Sequence, residues 1–217
     1  MIAREGYSNI FAAVAVAITA CIAASFINHW SAYIIYGVMG LLVVFMLFFF
    51  RDPDREVPAA ENLIVSPADG TVVSVKEVDE PLYIKGKAIQ ICIFLSAFNV
   101  HVNRSPATGK IEYLTYNTGK YLMAWDDRAS SMNERADFGV LHPTGAKIFF
   151  RQITGFMARR IVYHLKEGDE VKAGERFGIM KFGSRMDILV PPEVELQVEE
   201  GDRTVGGETI LARIDDK

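Results

Sequence analysis

Two long apolar runs open the chain, and no later segment resembles them. Residues 9–28, NIFAAVAVAITACIAASFIN, and residues 31–50, SAYIIYGVMGLLVVFMLFFF, contain no Asp, Glu, Lys or Arg. Each is close to the roughly 20 residues that cross a bilayer as a helix. Both are apolar on every side, which helices facing water are not. Only His29 and Trp30 separate them, a tight polar link with an aromatic suited to a membrane interface. The pattern predicts a membrane-embedded helical hairpin over residues 1–50. A secretory signal fits poorly, because the apolar stretch is too long and no small-residue cleavage site follows it. A hairpin returns the chain to the side on which it began. Arg4 stands near one end, and Arg51 and Arg55 follow the other. Positive charge favours the cytoplasmic side, which places the remaining chain on the cytoplasmic face of the cell membrane.

After a Pro-containing polar linker, residues 51–62, the period changes. LIVSPADGTVVSVKEV reads as strand, turn, strand. KAIQICIFLS, FNVHVNRSP, GKIEYLTYNTG, GAKIFFRQITG and ARRIVYHL also read as strands, and Gly–Asp and Gly–Glu turns punctuate residues 166–181. DDRASSMNERADFG, residues 126–139, is polar and poorly periodic, and reads as a loop or short helix. In KFGSRMDILVPPEVEL, Met186, Ile188 and Val190 alternate with Arg185, Asp187 and Leu189, the pattern of a half-buried strand. Residues 63–217 are therefore expected to form one mostly-β domain of packed sheets, like a barrel-sandwich.

Composition adds limits. The net charge of −4 gives no basic surface for nucleic acid. Cys21 and Cys92 are far apart in apolar segments, so they form neither a disulfide framework nor a metal cluster, and both are expected to be buried.

Three places carry candidate chemistry. In SPADG, Asp69 sits in a turn signature, where it can satisfy turn amides or orient a histidine. In FNVHVNRSP, His101 alternates with Asn99 and Asn103 on the polar side of a strand, where it can face solvent or act as an acid or base near neutral pH. Gly183–Ser184 is usually a turn or bulge, and no GxSxG elbow surrounds it. A Gly–Ser pair also suits attack by the serine hydroxyl on the preceding peptide carbonyl, because glycine lacks an obstructing Cβ. The resulting ester can eliminate and hydrolyse, leaving an N-terminal pyruvoyl group without an external cofactor.

SPADG, FNVHVNRSP, NER, QITGFMARRIV and KFGSRMDILVP occur in this order, and the set resembles phosphatidylserine decarboxylase proenzymes in their short bacterial and archaeal form. The resemblance implies decarboxylation of phosphatidylserine to phosphatidylethanolamine and CO₂, through a Schiff base with a self-generated pyruvoyl group. It implies self-cleavage between Gly183 and Ser184, a processing triad of Asp69, His101 and Ser184, and continued association of the two chains. The expected partners are a phospholipid substrate and the membrane, and no metal is implied. Arg159, Arg160 and Lys181 are candidate partners for the anionic headgroup, although Arg159 and Arg160 also suit a solvated strand end. Long-form relatives carry Leu–Gly–Ser–Thr at the cut, where this chain has Phe182–Gly183–Ser184–Arg185. They also carry a second histidine at the position of Phe98.

Two other readings remain at this level. HLKEGDEVKAGERFGIMKF resembles biotinyl and lipoyl carrier modules, with Lys181 as the modified lysine, but Phe182 stands where such modules repeat Met. A membrane-anchored β-domain without catalysis is the other.

Overall fold

The computed structural model describes residues 1–27, 29–126, 128–156, 160–181 and 183–214. They form two compact units, Met1–Asp54 and Arg55–Lys217. The first is a helical hairpin. A short 3-10 turn at Arg4–Gly6 leads into α1 (Tyr7–Ser25), and α2 (Ser31–Phe49) returns. The hairpin's ends meet: Ala3 N–H donates to Phe50 O at 2.8 Å and Asp52 N–H to Met1 O at 2.7 Å. Both helices are long and apolar enough to cross a membrane, and most of their surface is not covered by protein. Phe11, Tyr33 and Leu41 point outward. An apolar pair with uncovered sides is what lipid would solvate, so the hairpin is consistent with membrane association. Cys21 is half-buried on this pair, not enclosed as expected.

The second unit is built from fourteen described strands. These are β1 (Leu63–Val65), β2 (Gly70–Glu80), β3 (Gly86–Leu95), β4 (Val102–Arg104), β5 (Gly109–Asn117), β6 (Arg135–Leu141) and β7 (Lys147–Ile153). The remainder are β8 (Ile161–Tyr163), β9 (Glu170–Val171), β10 (Arg176–Met180), β11 (Ser184–Val190), β12 (Glu195–Leu196), β13 (Arg203–Thr204) and β14 (Ile210–Arg213). A short helix, α3 (Ala129–Met132), precedes β6. The long sheet runs β13-β2-β3-β11-β7-β6-β5-β9, and two three-stranded sheets run β4-β10-β8 and β1-β14-β12. The mostly-β, packed-sheet expectation is met.

Aromatic side chains join the layers. Phe138 of β6 and Phe150 of β7 stack at 5.0 Å, and Phe177 of β10 meets both edge-on. They belong to one core with Ile91, Ile93, Met186 and Ile188. β11 is central, paired antiparallel with β3 and β7. All seven of its residues are buried. The half-buried expectation is corrected here, because alternation registers a charged face as solvent-exposed when other groups can in fact cover and pair it. The same effect hid β6, whose Arg135 and Asp137 made residues 135–139 read as loop.

Part of the stretch read as a linker packs on the second unit. Arg55 pairs with Asp69, and Val57 fills the space beside Gly174, where a Cβ would stand 2.4 Å from Val57 Cγ2.

Candidate active site

The β10-to-β11 connection carries the chain from the small sheet β4-β10-β8 into the centre of the long one. Gly183 and Ser184 close that connection. Gly183 adopts φ +67°, a left-handed conformation that costs other L-residues about 1–2 kcal/mol. Apart from its chain neighbours, nothing lies within 4 Å of where its Cβ would be. Glycine is therefore required by the backbone, not by crowding.

Ser184 begins β11, opposite Leu95 of β3, and has no exposed surface. Among the described residues its buried Oγ has no hydrogen-bond partner. Buried hydroxyls almost always have one, and leaving one unpaired costs on the order of 1–3 kcal/mol.

His101 approaches from the small sheet. It precedes β4, and its carbonyl accepts from Met180 N–H at 3.3 Å. Its Nδ1 lies 2.9 Å from the Asn99 carbonyl. A carbonyl only accepts, so Nδ1 carries the proton and Nε2 keeps its lone pair. Gly183 N–H donates to that lone pair at 3.4 Å. This bond is long, and it ties the imidazole to the residue that precedes Ser184. The Asn99 carbonyl is itself fixed, since Asn99 Oδ1 accepts from Ser96 N–H at 2.9 Å and from Ser96 Oγ at 2.7 Å. His101 is fully buried, which corrects its placement on an open polar face. β4 is buried along its length, and its polar groups find partners there except Asn103 Nδ2, which has none among the described residues. Gln152 Nε2 donates to Asn103 Oδ1 at 2.8 Å.

Gly155 follows β7 and packs against the Gly183–Ser184 peptide. A Cβ there would stand 2.5 Å from Gly183 O. Gly155→Ala is therefore expected to displace the Gly183 carbonyl. A misplacement of this kind costs on the order of 10²-fold in rate, which would be read as slower self-cleavage by time-resolved gel densitometry. Normal cleavage in Gly155→Ala would show that the contact is unimportant.

Asp69 lies before β2, two strands from β11, at the same end of the sheet. Adjacent strands are about 4.8 Å apart, which puts it roughly 10 Å from Ser184. Its carboxylate accepts from Arg55 Nη2 at 2.8 Å and from Gly206 N–H at 2.8 Å. The sheet brings Asp69 to the same end as Ser184, but the group facing His101 Nδ1 is the Asn99 carbonyl. The signal for Asn99 was Ser96 three residues earlier, the spacing of a side chain that caps its own turn.

On the opposite face of β11, Arg185 and Asp187 are fully enclosed. Arg185 Nε donates to Asp187 Oδ1 at 2.6 Å, and Gln90 Nε2 and Ser130 Oγ donate to Asp187 Oδ2 at 2.7 Å each. Arg185 also bonds Ser130 Oγ, Cys92 Sγ and the carbonyls of Ala124 and Asp126. Burial alone would push the Asp187 carboxyl up, but Arg185 and the Ser130 hydroxyl hold it below its ordinary value. Burial and the nearby Asp187 charge push the Cys92 thiol well above its usual range, so it stays protonated.

Of the headgroup candidates, Arg160 is exposed and Lys181 half-buried, while Arg159 lies outside the described residues. Lys181 sits in the crossover between two sheets, where a swinging carrier lysine would instead occupy a hairpin tip.

The family model described as phosphatidylserine decarboxylase matches residues 42–212. A phosphatidylserine decarboxylase proenzyme of Salinibacter ruber is 57% identical over 174 residues, covering 79% of this chain and 77% of its own. Another from Symbiobacterium thermophilum is 42% identical over 214 residues, covering 99% and 96%. A third, from Prosthecochloris aestuarii, is 48% identical over 174 residues, covering 80% and 79%.

Proposed function

The chain belongs to the phosphatidylserine decarboxylase family, and we propose that it converts phosphatidylserine to phosphatidylethanolamine and CO₂ after cutting itself between Gly183 and Ser184. The observation that carries the residue assignment is the fully buried Ser184 Oγ, without a hydrogen-bond partner among the described residues, directly after the Gly183 amide that donates to His101 Nε2.

His101 Nε2 takes the Ser184 hydroxyl proton, and Oγ adds to the Gly183 carbonyl carbon. The amide C–N bond breaks and its nitrogen gains a proton, leaving Gly183 as an ester of Oγ. Loss of the Ser184 α-proton with scission of its Cβ–Oγ bond frees Gly183 as a carboxylate. Addition of water and loss of ammonia leave a pyruvoyl group at position 184. That group supplies an electrophilic carbonyl that engages the substrate amine and draws off the electrons released as CO₂ departs. Phe98 cannot move a proton, which leaves His101 Nε2, the substrate or water to protonate the product carbon. Asn99 orients the imidazole. Asp69 fixes Arg55 and the 205–207 turn. Arg159, Arg160 and Lys181 are the cations for the substrate's anionic groups.

The membrane domain is residues 1–50, the linker 51–62 and the catalytic domain 63–217, held at the cytoplasmic face of the cell membrane. The two chains stay together, because the fragment starting at Ser184 supplies β11 to the long sheet, β13 to its edge and β14 to a second sheet. Cleaved protein is expected to purify as one species and to separate only in denaturant. Dissociation in native buffer would contradict this.

Intact mass tests the reading. Wild-type protein is expected to give a 34-residue fragment, residues 184–217 of 217, blocked to Edman degradation. A single uncut species from an active preparation would overturn it. His101→Ala is expected to slow self-cleavage by about 10²–10⁴-fold, the usual share of a general base. Asp69→Asn is expected to slow it by only about tenfold, as befits a group that acts at a distance. An Asp69→Asn defect as deep as that of His101→Ala would restore Asp69 as the direct orienting partner.

A further inference from the structure

In the described part of residues 55–214, the three most exposed large apolar side chains are Phe98 at 70%, Trp125 at 60% and Phe156 at 56%. They come from three different loops, and each loop touches the Gly183–Ser184 peptide or its immediate support. Phe98 belongs to the Ser96–Asn99 turn that positions His101. Phe156 follows Gly155, the residue packed against Gly183 O. Trp125 follows Ala124, whose methyl lies 3.1 Å from the position of a Gly155 Cβ and whose carbonyl accepts from Arg185. Met123, on the other side of Ala124, is exposed as well. Trp125 is held edge-on to Phe94, with ring centroids 5.5 Å apart.

Isolated exposed apolar residues need no explanation, but three of the largest on loops that adjoin one buried peptide do. Ser184 has no exposed surface, while the reacting amine and carboxylate of a phospholipid lie at headgroup level. Lifting two acyl chains out of a bilayer costs free energy for every methylene exposed. The catalytic unit must therefore come down to the lipid.

We propose that Phe98, Met123, Trp125 and Phe156 form a docking rim that inserts into the interfacial zone of a phospholipid bilayer and seals the entrance to the Gly183–Ser184 site against it. This rests on the phospholipid decarboxylase reading. The bilayer is the fitting occupant because the same chain carries two bilayer-length apolar helices, because Trp favours the headgroup boundary, and because Trp and Phe line the apolar face of interfacial segments. Exposed Lys120 and Arg160 in the same loops suit the adjoining phosphates.

The chain contains two tryptophans, Trp30 and Trp125, so Trp30→Phe leaves Trp125 as the sole reporter. The full-length variant is reconstituted into phosphatidylcholine vesicles containing phosphatidylserine, with or without bromine on the acyl carbons nearest the headgroup. Trp125 fluorescence is expected to be quenched by the brominated lipid. Equal emission in both vesicles would overturn the proposal. In a second arm, CO₂ release is compared on vesicle-borne phosphatidylserine and on monomeric short-chain phosphatidylserine. Trp125→Ser with Phe156→Ser is expected to lower the vesicle-to-monomer rate ratio by about tenfold, and an unchanged ratio would overturn the rim. Cleaved wild-type protein that releases CO₂ from neither substrate would sink the decarboxylase reading instead, and the quenching arm would still decide the rim.

Discussion

Ser184→Ala is expected to leave the chain uncut at 24.2 kDa and to abolish CO₂ release. The effect is large because one atom is lost from both stages. Without Oγ no ester forms, and without the ester no carbonyl arises at position 184. The variant should fold as well as the parent or better, since it removes a buried hydroxyl that has no partner among the described residues. An orphaned polar atom costs on the order of 1–3 kcal/mol, so a higher melting temperature together with complete loss of processing is the expected combination. A Ser184→Ala protein that still splits would place the nucleophile elsewhere. One that is uncut but active would show that the pyruvoyl group is dispensable.

Asp187→Ala is expected to destabilise the fold by about 3–5 kcal/mol, the usual penalty for stranding one member of a buried ion pair. The fully enclosed Arg185 would lose its buried carboxylate partner, and it anchors the Ala124 and Asp126 carbonyls of the loop beside Gly155. Chemical denaturation of the uncut Ser184→Ala background reads this without interference from cleavage. A loss under about 1 kcal/mol, the range of exposed pairs, would mean that the pair is not closed in solution. The sign of the pH dependence follows. The folded Asp187 carboxyl is held below its ordinary value, so its stabilisation is complete above the unfolded value of 3.8 and is lost as pH falls below it. Asp137, also on the outer face of the sheet, has the opposite sign. Burial raises its carboxyl despite Arg151 and Arg135, so it favours the folded state more as pH falls toward 3.8. Asp187→Ala should remove only the first contribution and flatten the stability loss on the acid side.

The residue pattern fixed the apolar hairpin, most strands of the second unit and the Gly183–Ser184 pair, because bilayer length, period-2 alternation and turn chemistry are local properties. It failed where a strand is buried on both faces. Arg185 and Asp187 looked solvent-facing, and Arg135 and Asp137 looked like loop, because hydropathy cannot show that a charge has a buried partner distant in sequence. His101 looked half-exposed for the same reason.

The chain alone thus determined which residues could react: a serine after a glycine, and a histidine and an aspartate within ordered motifs. Tertiary structure decided what each one faces. Folding turns Nδ1 of His101 to the Asn99 carbonyl and Nε2 toward Gly183, and pairs Asp69 with Arg55. It leaves Ser184 Oγ without a partner among the described residues and exposes Phe98, Trp125 and Phe156 on three loops that adjoin the Gly183–Ser184 peptide. Which groups a side chain meets depends on strand order and register across the whole sheet, and no short stretch of sequence contains that information.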